Sequence, residues 1–178
     1  MFSVYLTFNL TNMKKYFFLL VFAFSVLISC NSNDTTTYYL IRHAEKEQSD
    51  KTNRNPHLNS EGEKRAHNWS VYFKDINIES VYSTNYNRTI QTATPTAKSK
   101  KLEINYYNPA NMYDSIFKAE TKGKSVLVVG HSNTTPVFAN KILGKELYQN
   151  MNHDDNYSLY IVTVKDDLKN STIEKVNE

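Results

Sequence analysis

Two histidines of this chain stand at matching points of two apolar runs. His43 follows "YYLIR" and His131 follows "SVLVVG". Arg42 adjoins the first, and Arg88 lies just after a third run, "ESVYST", near the start of the segment "NRTIQTATPTAKS". A set of two guanidinium groups and two imidazoles is built for an anion. Guanidinium binds phosphate or carboxylate oxygens in bidentate fashion, and the helix expected after His131 adds free backbone donors at its N-terminus. The set is useful only if all four side chains reach one point, so the elements that carry them matter.

Those elements alternate. "YYLI" reads as a strand and "LNSEGEKRAHNWSVYFKD" as a helix, with Asn59 or Ser60 as N-cap and Glu63 placed for a capping box. Within that helix Ala66, Trp69, Tyr72 and Phe73 have the spacing of a buried face. "ESVYST" is a short strand, and the helix after it is expected to break at Pro95. "LEINYY" is a strand, and "DSIFKAETKG" a helix closed by Gly123. "SVLVVG" is a continuous apolar run, suited to a central parallel strand covered on both faces. "NTTPVFANKILG" is a helix capped by Asn133 or Thr134, and "YSLYIVTV" with "STIEKV" forms a closing hairpin. Strand and helix in turn imply an α/β fold, a three-layer α/β/α sandwich with a mostly parallel central sheet. Ligands of such folds bind beyond the carboxyl ends of the strands, where both histidines fall.

The three segments "LIRHAEK", "STNYNRTIQTATPTA" and "VLVVGHSNTTP", in this order, resemble the signatures of the histidine phosphatase (phosphoglycerate-mutase-like) superfamily. The likeness extends to "LNSEGEKRA" and "DDNYSLYIVT". The small size, without a cap insertion, resembles the compact phosphohistidine-phosphatase-like branch. The resemblance implies that His43 is the nucleophile, forming a phosphohistidine intermediate. It implies that Arg42, Arg88 and His131 bind the phosphoryl oxygens, with His131 protonated beside the dianion. It also implies that no metal or other cofactor is needed.

Two departures from the family pattern stand out. Ala44 follows the nucleophile where the family usually has Gly, which is compatible with a turn that keeps φ negative. Many members carry a Glu after the third strand; here "YYNPANMYD" places Asn108 there, and Asp114 belongs to a helix start. Glu45 is the carboxylate nearest His43 in sequence, a candidate proton donor or a salt-bridge partner of Arg42 or Arg88. Without a strong donor, phosphoramidates and aryl phosphates are favoured over alkyl esters.

The expected substrate is thus a small phosphomonoester or phosphoramidate; the alternative is a non-catalytic module that holds a phosphorylated ligand. A mutase would need an insertion to enclose its substrate, and no segment is long enough. The loop Glu45 to His57 and the segment Tyr106 to Ser115 are expected to wall the pocket. His57 reads as a loop residue, and His67 and His153 as solvent-facing. The histidines lack zinc-ligand spacing. The abundant tyrosines are explained by strand packing.

The N-terminus reads as an address. Met13-Lys14-Lys15 precedes the 13-residue apolar run Tyr16 to Ile28, followed by "LISC" ending at Cys30. A basic start, a short apolar core and small residues before a cysteine make a secretory signal peptide, and "LISC" resembles the lipobox of bacterial lipoproteins. Residues 1–29 are then the signal, with Met13 as a second candidate start, 30–36 the tether, and 37–178 the phosphatase domain. Lipidated Cys30 would attach the chain to the membrane at the cell envelope, facing the periplasm, and Asn31 favours the outer membrane. Loss of the signal removes two lysines and no acids from a formal net charge of only +3. No case for nucleic-acid binding remains. The rest of the composition, 40% hydrophobic and 22% charged over 178 residues, is that of one globular domain.

Overall fold

The computed structural model describes residues 35–176. The signal peptide and Cys30 lie outside the described residues. In chain order the elements are β1 (Thr35–Arg42), α1 (Ser60–Tyr72) with a 3₁₀ turn (Phe73–Asp75), β2 (Ser80–Ser83), α2 (Asn87–Lys100) and β3 (Ile104–Tyr106). A second 3₁₀ turn (Pro109–Asn111) leads to α3 (Ser115–Thr121), β4 (Ser125–Gly130), α4 (Thr134–Leu143), β5 (Ser158–Lys165) and β6 (Leu168–Lys175).

The six strands form one sheet in the order β3-β2-β4-β1-β5-β6. β1 to β4 run parallel, β5 returns antiparallel to β1, and β6 closes the edge as a hairpin with β5. The central pair explains the apolar runs. Along β1 and β4, alternate residues enter opposite cores. Tyr38, Leu40, Val126 and Val128 pack on one face with Phe117 of α3 and Phe138 and Ile142 of α4. Ile41, Leu127 and Val129 pack on the other with Trp69 of α1 and Ala93 and Ala97 of α2. Both faces are covered, so the strands need no polar alternation. This is the expected three-layer α/β/α sandwich.

Four local expectations are revised. β1 starts at Thr35, inside the expected tether, because its β-branched threonines pair with β5 as far as Lys165. The capping box is replaced by a simple cap: Asn59 accepts the amide N–H of Gly62 at 2.9 Å, and the third helical position is that glycine rather than Glu63. α2 runs straight through Pro95. Proline removes one helical hydrogen bond, and burial of Thr92, Ala93, Thr96 and Ala97 on the same helix outweighs that loss. α4 begins after Asn133, which makes no side-chain cap; Thr134 instead accepts the His131 amide at 2.9 Å. Among the described residues no helix is long and apolar enough to cross a membrane.

Candidate active site

Arg42 and Gly130 face each other across the last rung of the β1–β4 pair. The next residue, His43, extends the ladder by donating its amide to the Gly130 carbonyl at 2.9 Å. Both histidines therefore leave the sheet at one edge. Their ring centroids are 5.4 Å apart at an interplanar angle of 69°. At Gly130 itself a Cβ would meet the hydroxyls of Thr134 and Tyr107 at 2.9 Å, so a side chain there would crowd the start of α4.

His43 is held on every side but one. Its carbonyl accepts from the Asn156 side chain at 2.7 Å, and its Nδ1 lies 2.8 Å from the Ala44 carbonyl. A carbonyl only accepts, so Nδ1 carries the proton and Nε2 keeps its lone pair. The ring is 4% exposed. Burial, reinforced by the positive charge of Arg42, His131 and Arg88, pushes its pKa down to about 3 against the opposing Ala44 hydrogen bond. Ala44 fits the turn without positive φ. Its methyl packs between Leu58 and Ala66, away from the anion pocket, while its amide donates to Thr92 at 2.9 Å.

His131 takes the other tautomer. The Thr84 hydroxyl donates to Thr89 at 3.0 Å, so at its 3.0 Å contact with His131 Nε2 it accepts. Nδ1 then receives Nη2–H of Arg88 at 3.4 Å. Burial and the adjacent Arg88 and Arg42 push His131 down to about 4.

The arginines differ in what they have left to give. Arg42 Nη1 donates to the backbone carbonyls of Asn152, His153 and Asp155 at 3.1, 2.9 and 3.2 Å, and its Nε has no partner. Arg88 lies over the Tyr86 ring, 4.6 Å from its centroid, and its buried Nε and Nη1 have no partner. Buried donors without acceptors are costly, and an anion between the rings would satisfy them.

All four expected residues line one cavity of about 420 Å³. Among the described residues Lys46, Tyr86, Pro109, Ser132 to Thr134 and His153 complete its wall, and none of them is a carboxylate. Of the two segments expected to wall it, each supplies one residue, Lys46 and Pro109. Glu45 Oε1 accepts from Arg65 Nε at 2.6 Å, so its salt-bridge partner is Arg65 and neither Arg42 nor Arg88, and it lines a neighbouring cavity. The strand direction explains this, since Arg42 and His43 end β1 and the chain then turns under α1. Asn108 caps the turn before α3 and Asp114 caps α3 itself. His57 is taken up by Gln91 and Asn87. Sequence reasoning missed Tyr86 and His153 in the wall. Tyr86 had a signal, standing two residues before Arg88; His153 had none, as its loop returns from the far end of the chain.

The family model of the histidine phosphatase superfamily (branch 1) matches residues 38–108. No curated protein matches the chain. Among solved structures, YhfR of Bacillus stearothermophilus aligns at 13% identity and a TM-score of 0.62, covering 80% of this chain and 98% of that one. SixA from Agrobacterium tumefaciens aligns at 20% identity and a TM-score of 0.58, covering 78% and 97%. The protein histidine phosphatase SixA complexed with tungstate aligns at 16% identity and 0.59, covering 78% and 94%. At these low identities the structural likeness shows a shared fold. The likeness to the histidine phosphatase superfamily thus rests on residues 38–108, which hold the first two of the three motifs.

Proposed function

We propose that the chain is a metal-independent phosphohydrolase that works through a phosphohistidine on His43, with small phosphomonoesters or phosphoramidates as substrates. The observation that carries this reading is the His43 ring: neutral, proton on Nδ1, Nε2 lone pair free, and set 5.4 Å from His131 among unpartnered arginine donors. Nε2 attacks phosphorus as the bond to the leaving group breaks, and water then displaces the phosphoryl group from Nε2 in a second step. Arg42, Arg88 and His131 carry the charge on the phosphoryl oxygens, most of what phosphoryl transfer asks of a protein. His131 gains a proton as the dianion enters, since a nearby negative charge raises its pKa.

The chain should release phosphate from p-nitrophenyl phosphate in excess EDTA, and His43→Ala should not. A variant as active as the wild type would refute the nucleophile. One observation favours a second reading, a phosphate-binding module: among the described residues the cavity wall holds no carboxylate to protonate a leaving group. A trapped phosphoenzyme, stable to alkali and lost in acid, separates the two.

A further inference from the structure

Among the described residues no carboxylate lines the cavity, so the proton that a poor leaving group needs is sought among the other side chains of its wall. Imidazole is the side chain whose ordinary range suits that exchange near neutrality, and the wall holds one besides the two facing histidines. His153 is exposed, yet it lines both the anion cavity and the one beside it. On the anion side it faces Arg42, Lys46 and Arg88, with His43, His131 and Tyr86. On the other side it faces the carboxylates of Glu45, Glu61 and Asp154, with Arg65 and Tyr157.

Its backbone is also fixed to the site. The His153 carbonyl accepts Arg42 Nη1 at 2.9 Å, and the loop is held again where Asn156 donates to the His43 carbonyl at 2.7 Å. The side chain can therefore turn while its anchor stays in register with the reacting centre.

Resting on the phosphatase reading, we infer that His153 is the proton donor to the leaving group. As the His43 Nε2–phosphorus bond forms and the phosphorus–leaving-group bond breaks, the His153 imidazolium passes one proton to the departing oxygen or nitrogen. In the second half the neutral ring takes a proton from the attacking water while the phosphorus–nitrogen bond breaks, and it is imidazolium again.

The test uses the full chain and two aryl esters that differ in leaving-group acidity. His153→Gln should lose at least tenfold more of kcat/KM on phenyl phosphate than on p-nitrophenyl phosphate. His153→Ala should behave alike, and added imidazole should restore part of its rate on phenyl phosphate. Equal losses on both esters, or none, in an otherwise active chain would overturn the assignment alone. A wild-type chain that leaves both esters intact would overturn the phosphatase reading and this inference with it.

Discussion

At His131 the free site and the loaded site differ by one proton. Burial and the two arginines hold its pKa near 4, so the ring is neutral at pH 7 until an anion arrives. An anion between the rings reverses the balance, and binding should draw a proton from solution. Sulfate is a suitable probe because it has no proton of its own to exchange near neutrality. Calorimetric titration with sulfate at pH 6 to 7, in buffers of different ionisation enthalpy, should show up to one proton taken up per anion; His131→Gln should show far less. Proton release on binding would contradict the assignment. At this scale the four motif residues were legible, because a strand that ends in a charged residue displays it at the sheet edge. The role of Glu45 was not, since nearness along the chain said nothing about Arg65, twenty residues later on α1. Nor was His153, whose place depends on where the loop before β5 crosses the strand ends.

Helix α1 shows how an element sets a residue it does not contain. Its first turn is wedged against the backbone of Glu45: a Cβ at Gly62 would lie 2.0 Å from the Glu45 carbonyl oxygen. That carbonyl also accepts the amide of Asn59, the α1 cap, at 3.0 Å. Glu45 is two residues from His43, so the close approach of α1 fixes the turn behind His43. Gly62→Ala should push the two apart, costing about 1–3 kcal/mol as over-packing typically does. The cost would be read as a lower urea midpoint, with a larger fractional loss of kcat than of stability under native conditions. An unchanged midpoint would show that the turn yields freely. The alternation of strands and helices was readable because each apolar run had one period throughout. What could not be read was tertiary override: Pro95 tolerated inside α2 by the burial around it, and Thr35 to Thr37 drawn into β1 by a strand more than a hundred residues away.

Across the described molecule, the length of β1 separates Thr35 from the pocket of His43 and His131. The described chain begins at Thr35 and reaches the pocket only after the eight residues of β1, roughly 25 Å at the rise of a strand. The pocket end carries a cost for the fold as a whole. His43 and His131 have pKa values near 3 and 4 when folded, against about 6.5 for a free histidine. Between those limits the unfolded chain binds protons that the folded chain refuses, so unfolding becomes easier as pH falls. The stability is fully present above about pH 6.5, declines as pH drops through that value, and stops declining on this account only below about pH 3. Urea midpoints at pH 7, 5.5 and 4.5 should therefore fall more steeply for the wild type than for the His43→Gln/His131→Gln double variant; comparing the two slopes removes the carboxylates common to both. Sulfate should offset the loss most strongly at the acid end, where it meets a proton ready to enter the site. Parallel slopes with and without the two rings would mean that neither histidine is held neutral, and the free lone pair on His43 Nε2 would lose its physical basis.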